Sequence, residues 1–141
     1  MYSLKLVTFV VLSSIPYFCY GAKREDFDLQ KMFEDMGEEG NKMRDECFTE
    51  NEMSLADLHD YDKAEDIPEK ELCFYKCFFQ KSYVVDKDGK VIIESIKAIE
   101  EVKDLEESDR ETFTNCLKEI KPVLECKDMV EFEKCFDQIL M

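Results

Sequence analysis

Six cysteines constrain this chain more than any other feature. Cys47, Cys73, Cys77, Cys116, Cys126 and Cys135 are spaced C-x25-C-x3-C-x38-C-x9-C-x8-C. A seventh, Cys19, lies in an apolar stretch near the start, where Lys5 precedes Leu6 to Leu12 and the run extends through Ile15 to Phe18. That pattern reads as a secretory signal, too short for a membrane span, with cleavage expected after Gly21. Its removal leaves an even number of cysteines in a small exported chain. That number argues for three disulfides in an oxidising compartment and against free thiols in a cytosolic protein.

Cys73 and Cys77 sit in the segment that organises the rest. Pro68 suits a first helical residue, because its missing N–H would have no partner there in any case. Neither Gly nor Pro interrupts from there to about Lys81. Glu69, Lys76 and Gln80 form one narrow polar stripe, and Leu72, Phe74, Tyr75, Phe78 and Phe79 fill the remainder. A helix that is apolar nearly all round is a buried one. Two cysteines four apart project from one face and are poorly placed to bond with each other. Each is therefore expected to reach a different partner element.

The chain has 141 residues, consistent with one signal (1–21) and one domain (22–141). Without Lys5, 18 of the 19 basic residues stand against 34 acidic ones, a net charge of about −16. Nucleic acid and anionic membrane are excluded as partners on electrostatic grounds. No later segment is apolar enough for stable membrane insertion.

The rest of the chain reads as helices. Leu29, Met32, Phe33 and Met36 recur at helical spacing, and Gly37 with Gly40 is expected to kink or break that helix before Asn41–Phe48 resumes. Ser54 looks like a cap for a short helix to about Asp60, and 62–67 is polar linker. Asp86-Lys87-Asp88-Gly89 is a turn, with Gly89 free to take positive φ. Val91–Val102 is predicted as one helix with Ile92, Ile96 and Ile99 inward, although Val91–Ile93 alone would pass for a strand. Ser108 with Glu111 and Asp128 with Glu131 read as capping boxes for two further helices. Phe113, Cys116, Leu117 and Ile120 point inward on the first, which Pro122 ends. Phe132, Cys135, Phe136 and Ile139 point inward on the second. The predicted class is all-α, with about six helices around an internal hydrophobic cavity.

With x3 and x8 gaps, a signal, acidic composition and the Asp-Gly turn after the third cysteine, the chain resembles the insect odorant-binding proteins of the six-cysteine type over Ala22–Met141. Six cysteines allow 15 pairings. The resemblance implies Cys47–Cys77, Cys73–Cys126 and Cys116–Cys135, and also a secreted carrier for odorants, pheromones or similar small hydrophobic ligands. An odorant receptor and a second copy of the chain are further partners it would allow. Each bridge would contribute roughly 2–4 kcal/mol by constraining the unfolded chain. That is more than closely packed helices need, so the bridges are read as holding helices around a space.

Candidates for lining that space are Met32, Phe33, Met36, Met43, Leu55, Leu58, Phe74, Phe78, Tyr83, Ile92, Ile96, Ile99, Phe113, Leu117, Phe132, Phe136, Ile139 and Leu140. Taken singly, each reads first as plain core, and only as a set do they read as a lining. Methionines and eleven phenylalanines suit a site that adapts to varied apolar guests. Tyr75, Tyr83 and His59 are candidates for a hydrogen bond inside it. Only six residues follow Cys135, and Ile139, Leu140 and Met141 are expected to fold back as part of the wall. His59, the single histidine, is the natural titrating group between pH 5 and 8.

Catalytic and metal readings find no support. A calcium loop with Gly89 at its sixth position would place Val84 and Ser95 where carboxylates belong. His59-Asp60 lacks the flanking cysteine pair and glycine-rich loop of secreted phospholipases, and no nucleophile elbow occurs. No cofactor is expected. The alternative reading is a secreted non-olfactory interaction or lipid-binding protein on the same scaffold. Saposin-like domains are its nearest analogue, but they carry close cysteine pairs near both ends of the domain, and this chain has none.

Overall fold

The computed structural model describes residues 37–59 and 61–140, with Leu140 as backbone only. The expected helix over Asp26–Met36, with Met32, Phe33 and Met36, and the free end at Met141 lie outside the described residues. Six α-helices are described: α1 (Gly37–Glu50), α2 (Glu69–Lys81), α3 (Ile93–Lys97), α4 (Glu100–Lys103), α5 (Glu107–Glu119) and α6 (Met129–Leu140). Single 3₁₀ turns occur at Leu55–Asp57, Ala64–Asp66 and Cys126–Asp128. The all-α class holds. The described residues contain no strand, only an isolated antiparallel bridge between Val85 and Val91.

Helix α2 is the centre of the packing. Pro68 caps it from an extended backbone (φ −58°, ψ 144°), one residue outside the position expected for it. Leu72, Phe74, Tyr75, Phe78 and Phe79 are all buried, and so is Glu71. From α2 a run of aromatic rings crosses the molecule. Phe48 of α1 stacks on Phe74 at 4.3 Å, Phe79 meets Phe132 of α6 at 4.9 Å, and Phe132 meets Phe136 at 5.4 Å. Phe136 then meets Phe113 of α5 at 4.6 Å. Each buried ring contributes on the order of 2–3 kcal/mol from apolar area alone, and close ring pairs add about 0.5–1.5 kcal/mol.

Three disulfides tie the same helices. Cys47–Cys77 joins α1 to α2, Cys73–Cys126 joins α2 to the turn before α6, and Cys116–Cys135 joins α5 to α6. Their Cα separations are 5.7, 4.6 and 5.6 Å. The pairing implied by the family resemblance is the one formed. Cys73 and Cys77, on successive turns of α2, reach opposite neighbours.

Local structure departs from expectation where tertiary contacts outweigh pattern. Gly40 does not break a helix. It is buried inside α1, and the boundary falls at Gly37, whose φ of +69° suits glycine. Ser54 and Asp57 cap a single 3₁₀ turn, with the Ser54 N–H donating to the Asp57 carboxylate at 2.8 Å. Val91–Val102 is not one helix. Val91 bridges to Val85, α3 ends at Lys97, Ile99 is extended (φ −68°, ψ 128°), and α4 restarts at Glu100. The Ile92 N–H donates to the Val84 carbonyl at 2.8 Å, drawing that residue out of helix.

The turn before it forms as read. The Asp86 carboxylate accepts from the N–H groups of Asp88 and Lys90 at 2.8 and 2.9 Å, and Gly89 takes φ +82°. The Val123 N–H donates to the Gly89 carbonyl at 2.7 Å, and a Cβ on Gly89 would collide with the Val123 backbone. Helix α5 begins at Glu107, capped by Glu106, so Ser108 lies inside its first turn and makes no cap. Asp128 caps backward instead of opening α6 with Glu131: its carboxylate accepts from the N–H groups of Leu124 and Glu125 at 3.0 and 2.8 Å.

Candidate ligand-binding interior and its polar corner

The expected lining residues divide by depth. Phe74, Phe78, Ile96, Phe113, Leu117, Phe132, Phe136 and Ile139 are buried together in one core cluster. Met43, Leu58 and Ile99 are half-buried against it, and Ile92 is half-buried. Two candidates are placed on the outside. Leu55 is 41% exposed because its turn runs over the surface, and Tyr83 is 75% exposed. Tyr83 has a φ of 60°, the left-handed conformation that closes α2, and this turns the chain into Val84 before the ring can enter the core. His59 is exposed too, meeting Tyr61 edge-on at 6.4 Å.

Phe74 links the aromatic interior to a polar corner. Its ring meets that of Tyr75 edge-on at 5.6 Å. The Tyr75 hydroxyl donates to Glu71 Oε1 at 2.8 Å, inside the protein. Glu71 is 1% exposed, and its Oε2 meets no donor at hydrogen-bonding geometry. Burial, then the charges of Glu133 and Glu71, push the Tyr75 hydroxyl above its usual range. Tyr61 is raised as well, by burial and by the Glu71 carboxylate. Glu133 of α6 faces the same place. Burial, then the charges of Asp137 one turn on and of Glu71, raise its carboxyl to about 8, so it holds a proton at neutral pH.

Only Tyr75 of this corner was singled out from sequence. The signal for Glu71 was present, since Glu71, Tyr75 and Phe78 follow i, i+4, i+7 and share the buried side of α2. Glu133 stands beside the inward stripe of Phe132 and Phe136, and nothing in its spacing distinguishes it from Glu131, which pairs with Lys134 at 3.2 Å.

A groove of about 670 Å³ runs along α1, open to solvent and lined among the described residues by Glu38, Asn41, Lys42, Asp45, Glu46, Thr49 and Glu50. Lys81 spans Glu46 and Glu50 at 3.2 and 3.1 Å beside it. Four carboxylates stand in its described lining, and its openness is unlike the enclosing sites that take small hydrophobic molecules. Among the described residues no group of three or more His, Cys, Asp or Glu is arranged to hold a metal ion. No helix among them is long and apolar enough to cross a membrane.

Neither a curated protein nor a solved structure matches the chain. A family model does, the PBP/GOBP family, over residues 30–138. The match takes in all six bridged cysteines and the whole aromatic interior. With its three disulfides and its helices gathered on α2, the chain belongs to the PBP/GOBP family, the insect odorant- and pheromone-binding proteins.

Proposed function

We propose that this protein is an exported carrier that shields a small hydrophobic molecule among the aromatic side chains between α1, α2, α5 and α6 and delivers it through aqueous fluid. The observation that carries the reading is the family match across 30–138, because that family binds small hydrophobic ligands and is not one of enzymes. The interior chemistry supports it. The lining is Phe, Ile, Leu and Met, and removing about 300 Å² of apolar ligand surface from water contributes about 7–8 kcal/mol before the losses of association. Affinity near micromolar corresponds to about −8 kcal/mol and needs no covalent or metal chemistry. The bridges between the helices hold such a lining open against collapse.

Odorants and pheromones are the ligand class the family points to, with an odorant receptor or a second copy as further partners. The experiment is displacement of the apolar fluorophore N-phenyl-1-naphthylamine from oxidised protein recovered from a secreting host, at pH 7.4 and pH 5. Micromolar probe binding, reversed by volatile alcohols or esters, is the expected outcome. Absence of probe binding at both pH values, with three disulfides confirmed by mass spectrometry, would mean a filled core and would sink the carrier reading.

A further inference from the structure

We propose that the strap over residues 61–67 is the lid of the ligand interior. It lifts from α6 and α2 to admit and release the bound molecule, and the Glu65–Lys134 ion pair sets how often it does so. This rests on the carrier reading and names the route into that interior.

The strap leads into α2 through Pro68 and is held by side chains, not by backbone. Its one fully buried residue is Ala64, 2% exposed, where the turn Ala64–Asp66 packs against α6. Ile67 is half-buried against the core, and Asp62, Lys63, Glu65 and Asp66 are exposed. Among the described residues its backbone hydrogen bonds stay within it. The Asp66 N–H donates to the Lys63 carbonyl at 3.0 Å, and the Ile67 N–H to the Ala64 carbonyl at 3.2 Å. The segment Val84–Leu105, which also lacks a bridge, is tied more firmly. There the N–H groups of Val84 and Val85 donate to the Phe79 carbonyl at 2.9 and 3.0 Å, and Val84, Val85, Ile96 and Val102 are buried. Local opening is cheapest where the fewest buried side chains and backbone bonds are released together. By that measure the strap is the looser of the two.

What holds it shut can be remade when it opens. The Lys134 ammonium of α6 meets the Glu65 carboxylate at 3.0 Å, and both side chains are partly exposed. The same ammonium meets Glu131 on its own helix at 3.2 Å, so lifting the strap strands no charge. Burial and a hydrogen bond to Glu71 of α2 hold the Tyr61 hydroxyl above its usual range, which marks a second, weaker point of attachment. Glu71 is 1% exposed and accepts from the Tyr75 hydroxyl at 2.8 Å. The Tyr75 ring in turn meets Phe74 edge-on at 5.6 Å, so this side of α2 is an edge of the aromatic interior. The Cys47–Cys77 bridge fixes α1 to α2 ahead of the strap, and Cys73–Cys126 holds α2 behind it. The strap can therefore lift while the helices stay together.

The test follows exchange of N-phenyl-1-naphthylamine on the oxidised protein at pH 7 by stopped-flow fluorescence, with association and dissociation rates measured separately. Glu65→Gln is expected to raise both rates about two- to fivefold while moving the dissociation constant less than about twofold. A residue that merely touched the ligand would move the dissociation constant instead. Sodium chloride raised from about 20 mM to about 500 mM screens the pair and should speed exchange in the parent but not in Glu65→Gln. Glu131→Gln, which leaves the Glu65 contact in place, should not speed it. Gly89→Ala loosens the other segment and should leave the rates within about twofold of the parent. Unchanged rates in Glu65→Gln, or a larger rise in Gly89→Ala, overturns the inference while probe binding leaves the carrier reading standing. Failure of the probe to bind overturns both.

Discussion

Two regions of this molecule solve the same problem differently. Helices α1, α2, α5 and α6, with the turn that leads into α6, are long or aromatic-rich and carry all three bridges. The segment Val84–Leu105 contains no cysteine. It is built from one bridge pair, an Asp-Gly turn and the two short helices α3 and α4, with Val85, Ile96 and Val102 as its fully buried anchors. In the first region the order comes from rings packed across helices and is secured by covalent links. In the second it comes from backbone geometry at a few points, chiefly the Gly89 contact with Val123. The difference indicates where each can give: local opening is cheapest where few buried side chains and no cross-link must be released together.

The largest effect is expected from removing a ring in the cross-linked region. Phe132 is fully buried between Phe79 and Phe136, and Phe132→Ala should cost about 3–5 kcal/mol in urea unfolding. A cost under about 1 kcal/mol would mean that the interior tolerates empty space at that point and that the ring is not structural. Next in size is the joint replacement Cys73→Ser with Cys126→Ser. It opens a loop of 53 residues' separation and should cost about 2–4 kcal/mol while the other bridges remain.

Gly89→Ala should cost about 1–3 kcal/mol, because φ +82° and the Val123 backbone both oppose a Cβ. Its signature should be local. Amide exchange should accelerate over Val84–Leu105 and stay slow on α2. Uniform acceleration would show that the two regions open as one unit. The smallest effect is electrostatic. Glu133 is neutral in the fold up to about pH 8, above its usual range. Its stabilising share is whole below the ordinary carboxylate value, declines as pH rises from there to about 8, and is flat above. The melting temperature of the Glu133→Gln variant should fall less than that of the parent between pH 5 and pH 8. Parallel curves would place Glu133 in water.

The chain's pattern alone determined the all-α class, the burial of α2, the Asp86–Gly89 turn and the division of cysteines between partners. These depend on spacing within one segment: period 3.6 for a buried helix, four residues for two cysteines on one face, an Asp side chain reaching its own backbone two residues on. The family match over 30–138 agrees with the framework those spacings describe.

What pattern could not decide were outcomes set by neighbours distant in sequence. Val91–Val102 has a helical stripe, yet Val84 and Val85 hold Val91 and Ile92 out of it, and an extended Ile99 divides the rest. Tyr83 looks like an interior aromatic, yet closing α2 with a left-handed residue turns it outward. Gly40 looks like a break, yet it is buried and α1 runs through it. The polar corner is the clearest case. Glu71 and Glu133 lie 62 positions apart and read as ordinary surface carboxylates in a strongly acidic chain. Only the packing of α6 on α2 brings Glu133 toward Glu71, and there burial, with the charges of Asp137 and Glu71, raises the Glu133 carboxyl.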